Sequence, residues 1–306
     1  SFTRFPSVRL QPLGHLSILV IFFNIIFINF IMKIYDCITY CGEDLLLKIR
    51  LETLYDDVDR FVIVEANKYF DGEEKPKFFD IKKFEKYKSK IDFYFIEDLP
   101  AHNGKNIDYE YFIKNQIKRG LRNLAAEDIV LFSDVDEIPN LKNKKFKEFD
   151  SAVFLTNMYY YKFNIHVYSG LKWSNKWPGT KSCKFKFFKS AIKLRELRVK
   201  NIAWWRFDQK IKRCVIKNGG WHFSFLMHSK KIRSKLKRFS HEIEHVKQGS
   251  NYNFKDIINI NNIESRISNL IDPYERKDIK LKKVQLDNSF PKYIIENVEQ
   301  LSDYIV

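Results

Sequence analysis

The sequence has few of the residues that build disulfide scaffolds or low-complexity chains. Its 306 residues include four cysteines, ten glycines and eight prolines, which excludes collagen-like and disulfide-dense architectures. Cys37 and Cys41 lie close together, but no ligand-rich segment follows them, so buried free thiols are expected rather than a structural zinc site. From Met32 onward there is no Asn-x-Ser/Thr site, which disfavours a glycosylating secretory route.

Negative charge is also in short supply. The chain has 54 Lys and Arg against 38 Asp and Glu, a formal net charge of +16. Such an excess is found in proteins that bind nucleic acid or anionic membranes, and a basic nucleic-acid-binding protein is one alternative function. The lysines are scattered along nearly every segment and no recognisable nucleic-acid module surrounds them, so we expect no nucleic-acid partner.

The first 31 residues allow two interpretations. Residues 16–32 form an uncharged run of mostly Leu, Ile, Val and Phe, preceded by Arg4 and Arg9, as in a single-pass membrane anchor. Alternatively, because the first methionine is Met32 and a strand-like run follows it, residues 1–31 are translated upstream sequence. The localisation is therefore left open between cytoplasmic and membrane-associated, with residues 16–32 as the membrane contact.

After Met32 the pattern alternates between strands and helices, which predicts an α/β fold with a mainly parallel central sheet and helices on both faces. Strands are predicted at 33–40, 61–66, 91–96 and 128–132, and helices at 43–57 and around 113–124. The second half predicts aromatic strands at 152–167 and 184–188, a loop at 173–180 and polar helices from residue 232 onward. We divide this part into a catalytic domain, 32–250, and a helical appendage packed on it, 251–306.

An acidic turn directly follows the fourth predicted strand. Asp134, Asp136 and Glu137 would repel one another in a dry site unless a divalent cation were bound. In an extended segment, Asp134 and Asp136 would point the same way. Sugar-nucleotide glycosyltransferases and dehalogenase-like phosphatases both use such a D-x-D turn. The phosphatase turn normally follows the first strand, however, whereas about a hundred residues of α/β pattern precede this one.

A second informative segment is Gly219-Gly220-Trp221-His222. Its glycines allow close backbone approach to a ligand. His222 is interpreted either as a nitrogen ligand to the metal held by the acidic turn or as a core histidine. The residues alone leave both interpretations open.

Five motifs in order resemble glycosyltransferase family 17, the β-1,4-mannosyl-glycoprotein β-1,4-N-acetylglucosaminyltransferase family. The motifs are KIYDCITYCGEDLLLKIRLETLYD, FVIVEANKYFDGEEKPKFF, DIVLFSDVDEIP, GGWHFSF and FSHEIE, and they span nearly the whole chain after Met32. The resemblance implies a GT-A-like nucleotide-sugar-binding fold, UDP-N-acetylglucosamine as donor, Mn²⁺ or Mg²⁺, and inversion at the anomeric carbon. The implied acceptor is a glycan or another hydroxyl compound.

The resemblance also implies site residues. Asp134 and Asp136 match the D-x-D pair, and with His222 they are the predicted metal ligands. One departure is Lys114 before Asn115, where many members carry Arg, so the bidentate fork is lost. The predicted donor-binding residues are Asp36, Glu65, Lys114, Asn115 and Asp134.

An inverting transfer also needs a carboxylate that accepts the acceptor's proton. Asp208 and Glu242 are the two candidates, and for each the alternative is an ordinary surface carboxylate. Because aromatic faces stack on sugar rings, we expect Trp173 or Trp177 to contact the acceptor. A catalytically silent sugar-binding module is a further alternative, although it would have no need of the metal cluster.

Overall fold

The apolar run after Met32 forms the first strand of a large sheet. The structure, a computed structural model, describes residues 32–199, 211–238 and 254–306. Asp208, Glu242 and nearly all of the predicted anchor segment lie outside the described residues. All the elements below belong to one unit, Lys33–Val306.

The described residues contain an eleven-stranded sheet. Its strands are β1 (Ile34–Thr39), β2 (Arg60–Ala66), β3 (Ile91–Ile96), β4 (Ile129–Asp134), β5 (Glu137–Pro139), β6 (Ser151–Tyr160), β7 (Ile165–Ser169), β8 (Trp177–Lys184), β9 (Arg213–Ile216), β10 (Gly220–Ser224) and β11 (Lys280–Lys283).

Short helices connect these strands. Apart from a single left-handed turn at Lys172–Asn175, where residues 173–175 have positive φ, the α-helices are α1 (Asp44–Leu54), α2 (Asn106–Asn115), α3 (Ala191–Arg195), α4 (Ser229–Arg238), α5 (Phe254–Ile257), α6 (Ile260–Ser268) and α7 (Lys292–Glu296). The 3-10 helices are Ile81–Lys90, Gln116–Gly120, Lys144–Glu148, Phe185–Phe187 and Ser302–Tyr304. None of the helices described is long and apolar enough to cross a membrane.

The first half of the chain forms the parallel part of the sheet. Strands β4, β1, β2 and β3 lie side by side and all run in the same direction. Residues 61–66 of β2 are all buried, as expected for a strand covered on both faces. The α/β prediction with a mainly parallel centre is confirmed, and the fold is consistent with a GT-A-like glycosyltransferase.

The second half corrects several predicted elements. The loop predicted at 173–180 is in part the start of β8, which pairs antiparallel with β4 and β6. The strand predicted at 184–188 is instead the end of β8 and a 3-10 turn. The C-terminal region is not wholly helical, because β11 pairs with β7 and adds a strand to the sheet. Local periodicity missed β11 because Lys280–Lys283 has three lysines and one buried residue, Leu281.

Candidate active site

A cavity of about 880 Å³ opens beyond the carboxyl ends of the parallel strands β1, β2 and β4. This is where open α/β sheets usually bind ligands, and the volume lies in the range of small-molecule sites. Two walls enclose it. The acidic wall consists of the lining residues within 39–137 and 192–196. The basic wall consists of the lining residues within 158–177 and 222–235, together with Arg276 and Tyr304.

The two walls carry different charges. The acidic wall contains every described carboxylate that lines the cavity: Glu43, Asp44, Glu110, Asp134, Asp136, Glu137 and Glu196. The described part of the basic wall has no carboxylate and supplies His222, His228, Lys231, Lys235 and Arg276.

Arg50 holds the acidic turn in place from behind. Its guanidinium binds both carboxylate oxygens of Asp36 at 2.7 Å, and both side chains are fully buried. Its remaining hydrogen bonds go to Ser133 Oγ (2.8 Å), Asp134 O (3.1 Å) and Glu137 O (2.8 Å). One arginine therefore joins α1, β1 and the turn after β4. Sequence reasoning missed it, although an arginine within the apolar stripe of α1 is the signal that could have revealed it.

Asp134 ends β4 and is held by two cations. Lys114 Nζ lies 2.9 Å from Oδ1, and Arg195 lies 2.8 Å from Oδ2. Desolvation opposes ionisation, but Arg195 and Lys114 outweigh it and hold the pKa of Asp134 well below its usual range. Lys114 also binds Glu110 one helical turn earlier, at 2.6 Å. Both oxygens of Asp134 are therefore engaged with the protein's own cations.

Asp136 faces a different set of partners. Its Oδ1 lies 3.7 Å from His222 Nε2, and its Oδ2 lies 3.5 Å from Lys235 Nζ. Desolvation by burial raises the pKa of Asp136, but the opposing effect of Lys235 and His222 is larger, so the pKa falls to about 2. Burial lowers the pKa of His222, but the negative charge of Asp136 opposes this effect, and the net result is a pKa above its usual value. The extended segment on which the predicted convergence of Asp134 and Asp136 was based is a turn at residues 135 and 136. The shortest ion pairs of the two carboxylates go to different side chains, although each carboxylate also affects the pKa of the other through its charge.

Strand pairing brings His222 to the acidic turn. Within the sheet, β10 pairs antiparallel with β5, which places His222 opposite Glu137, and Phe223 N donates to Asp136 O at 2.9 Å. A Cβ on Gly219 would lie 2.5 Å from Leu155 N, and one on Gly220 would lie 2.1 Å from Ile138 O. We predicted that these glycines leave room for a ligand, whereas the structure shows that they leave room for neighbouring backbone.

Glu137 connects the turn to the basic wall. Its Oε1 accepts a hydrogen bond from Trp177 Nε1 at 2.7 Å, and its Oε2 accepts one from Asp134 N at 3.2 Å. The Trp177 ring lies 5.5 Å from the imidazole of His222, centroid to centroid. Of the two tryptophans predicted to contact an acceptor, Trp177 lines the cavity and Trp173 does not.

The acidic wall also carries aromatic side chains. Tyr40, Phe70 and Phe78 follow β1 and β2 along the chain, and Tyr111 lies on α2. Close by, Glu43 lies at the start of α1, and its Oε2 accepts a hydrogen bond from Cys41 N at 2.8 Å. Burial raises the pKa of Glu43 above its usual value, while Lys235 opposes the increase. Sequence reasoning did not single out Glu43, since nothing in the local pattern shows that it faces a cavity.

Three predicted donor contacts lie away from the cavity surface. Asp36 is the buried partner of Arg50. Glu65 is fully buried, binding Lys75 Nζ at 2.7 Å and the backbone N–H groups of Phe78 and Phe79. Asn115 Oδ1 accepts from Ile192 N at 3.3 Å. In this structure these three side chains bind other parts of the framework of the site, whereas Lys114 and Asp134 line the cavity.

The side chains at the turn fit a divalent cation in one particular way. Among the described residues, no three His, Cys, Asp or Glu side chains form a metal-binding group. Asp136 and His222 nevertheless face each other, and His222 Nδ1 is buried with no hydrogen-bond partner among the described residues. Mg²⁺ is commonly held by only one or two carboxylates, with substrate phosphate oxygens and water completing the coordination, so Asp136 would be the main protein ligand and His222 a neighbouring nitrogen donor. Asp134 fits less well as a ligand because Lys114 and Arg195 occupy its oxygens.

The sequence model of the family "Glycosyltransferase family 17" matches residues 27–305, which is nearly the whole chain. A comparison with curated proteins found no match.

Proposed function

Because the chain belongs to glycosyltransferase family 17, we propose that it transfers N-acetylglucosamine from UDP-N-acetylglucosamine to a hydroxyl group of a glycan or similar acceptor. The reaction inverts the anomeric carbon and uses Mn²⁺ or Mg²⁺. The observation that carries this proposal is the arrangement at the acidic turn, where a carboxylate–imidazole pair lies next to fixed cations at the carboxyl end of a parallel strand.

The acidic wall suits the donor. Its aromatic side chains Tyr40, Phe70 and Phe78 offer ring faces on which a nucleobase can stack. Lys114 and Arg195 lie at the acidic turn, where they can bind phosphate oxygens, and Arg195 can do so with two donors at once. In this proposal the nucleobase of a nucleoside diphosphate lies against these rings and its phosphates lie against Lys114 and Arg195, which line the same cavity.

A divalent cation held by Asp136 and His222 would stabilise the negative charge that develops on the leaving diphosphate. The protein's own cations contribute to the same task, because they are held in position by buried carboxylates and need not reorganise during the reaction. Arg50 supports the acidic turn itself, because it donates hydrogen bonds to the backbone carbonyls of Asp134 and Glu137, on either side of Asp136.

The basic wall suits the acceptor. Met158, Tyr160 and Phe225 provide apolar and aromatic surface, and Trp177 is held in place by Glu137. An acceptor sugar bound there would present its hydroxyl to the anomeric carbon of a donor lying along the acidic wall. Asp208 and Glu242 remain the proposed proton acceptors.

The test is a donor screen on the full chain. UDP release from UDP-N-acetylglucosamine, UDP-glucose and UDP-galactose is measured with Mn²⁺, with Mg²⁺ and with excess EDTA. We expect turnover of UDP-N-acetylglucosamine that depends on the metal and increases with an acceptor sugar. Equal turnover in EDTA would disprove the metal role, and preference for another sugar would disprove the donor.

The phosphatase and binding-module alternatives predict other results in the same assay. Phosphate release from a phosphomonoester, without UDP release, would indicate a hydrolase. UDP-sugar binding without turnover, with or without acceptor, would indicate a silent sugar-binding module. A His222→Ala protein should need a higher Mn²⁺ concentration for half-maximal activity, whereas the loss of a core histidine would lower stability without changing that concentration.

A further inference from the structure

Lys235 reaches from the basic wall to the acidic turn. It lies on α4, its side chain is 19% exposed, and its Nζ is 3.5 Å from Asp136 Oδ2. The ammonium also lies 5.4 Å from the centroid of the Phe225 ring, within cation–π range. The side chain therefore occupies a defined position at the junction of the two walls.

The backbone between β10 and α4, which determines where Lys235 lies, contains a strained residue. Phe225 directly follows β10 and has φ of +58°, a left-handed conformation that is unfavourable for a non-glycine residue. The turn at Phe225 leads the chain from His222 in β10 to α4, which begins at Ser229. Backbone strain of this kind concentrates at ligand sites. Here it places the Phe225 ring beneath the ammonium of Lys235.

Asp136 cannot serve Lys235 and a divalent cation equally well. Both are positive, and Lys235 Nζ already lies near one of the two carboxylate oxygens, while His222 faces the other. A divalent cation at Asp136 would repel an ammonium a few ångströms away. The lysine stem has four flexible carbons, so its ammonium can move several ångströms without a change in the backbone.

We propose that Lys235 has two anionic partners, Asp136 and the diphosphate of the donor, and that it exchanges one for the other as a divalent cation takes its place at Asp136. The proposal rests on the UDP-sugar donor of the proposed function. It follows that Lys235 competes with the metal for Asp136 but assists the metal in holding the diphosphate. Removal of its charge should therefore have opposite effects on the two ligands.

The test compares Lys235→Gln with Lys237→Gln in the full chain. Lys237 lies on the same helix, is exposed and does not line the cavity, which makes it a matched control for the loss of one lysine. Mn²⁺ binding without nucleotide is measured by electron paramagnetic resonance. Binding of UDP and of uridine, each with saturating Mn²⁺, is measured by calorimetry.

For Lys235→Gln we expect UDP binding to weaken about ten- to a hundredfold, as for the loss of a charge-assisted hydrogen bond. Uridine binding should change less than twofold, and Mn²⁺ binding without nucleotide should tighten severalfold. Lys237→Gln should match the wild type in all three. A purely structural role would weaken all three ligands together, so tighter Mn²⁺ binding is the result that such a role would not produce.

Two results would overturn the proposal. UDP affinity within twofold of the wild type would show that Lys235 does not bind the diphosphate, and unchanged or weaker Mn²⁺ binding would show that it does not compete for Asp136. If the wild type itself fails to bind UDP, the donor of the proposed function is wrong and this proposal fails with it. The wild-type measurement therefore separates the two failures.

Discussion

The two walls of the cavity are built in opposite ways. On the acidic wall, charged side chains are paired with one another, as in Lys114 with Asp134 and Arg195 with Asp134, and the buried pair Asp36–Arg50 supports them from behind. On the basic wall, aromatic and apolar surface is combined with cations whose carboxylate partners come from outside that wall, Asp136 for His222 and Lys235 and the buried Asp272 for Arg276. The comparison shows that the acidic wall combines charges of both signs, whereas the described part of the basic wall presents cations and aromatic surface without a carboxylate of its own.

The largest effect is expected where the acidic wall is supported from within. Arg50→Met leaves Asp36 buried without a partner and removes the hydrogen bonds to the backbone of Asp134 and Glu137. We expect a loss of about 3–5 kcal/mol in the free energy of unfolding, measured by urea denaturation. The double variant Asp36→Leu/Arg50→Met should recover stability but not UDP release, because the turn still lacks its support. Recovery of both would show that Arg50 does not organise the acidic turn.

The next prediction separates the two aspartates of the turn. Asp134→Asn and Asp136→Asn should each lower UDP release about a hundredfold, a typical loss for one preorganised electrostatic contact. Asp136→Asn should raise the Mn²⁺ concentration for half-maximal activity, whereas Asp134→Asn should leave it unchanged, because Lys114 and Arg195 occupy its oxygens. The control is Asp98→Asn, because Asp98 is exposed and binds Arg119, and this change should alter neither UDP release nor the metal requirement. Equal shifts in metal requirement for both variants would restore Asp134 as a metal ligand.

A smaller effect is expected behind the acidic wall, at Lys181 of β8. Burial lowers the pKa of Lys181 to about 8, and its Nζ donates to Gly179 O at 2.9 Å. Between pH 8 and about 10.5 the unfolded chain binds this proton and the folded chain does not, so stability from this group rises with pH across that interval. The lowered pKa of Lys181 corresponds to about 3 kcal/mol less free energy of unfolding below pH 8 than above pH 10.5.

Lys181→Met should therefore be stabilised relative to wild type at pH 7, with the difference shrinking towards pH 10. Urea denaturation at several pH values measures this. The exposed Lys189, changed to Met, should leave the pH dependence as in the wild type. A difference between Lys181→Met and wild type that is constant with pH would show that Lys181 keeps an ordinary pKa in the folded protein.

The smallest effect concerns the contact between the walls. Trp177→Phe keeps an aromatic ring but leaves Glu137 Oε1 without its indole donor. We expect a loss of about 1–2 kcal/mol in the free energy of unfolding, together with slower UDP release. Trp221→Phe loses a similar hydrogen bond, to Ser289 O, outside the cavity, and should lower stability alone. Equal UDP release by both variants would remove Trp177 from the site.

The sequence predicted the acidic wall better than the basic wall. Strands β1 to β4 were recognisable because buried parallel strands are continuous apolar runs with helices between them. The predicted helix around 113–124 was only partly right, since α2 ends at Asn115 and a 3-10 turn follows, although Ile113 and Ile117 are buried as expected. The start of β8 was missed because Trp177–Thr180 contains Pro and Gly, which favour loops in local pattern reasoning.

By itself the sequence determined the α/β class, the family resemblance and the placement of Asp134 at the end of a buried strand. Those features depend on local periodicity and on short motifs, which are written in consecutive residues. Only the tertiary structure decided which carboxylate meets which cation. Arg50, Lys114, Arg195 and Lys235 come from four separate helices, and β10 brings His222 to Asp136 from 86 positions along the chain. Such pairings depend on the path of the chain through the sheet, and no local pattern records that path.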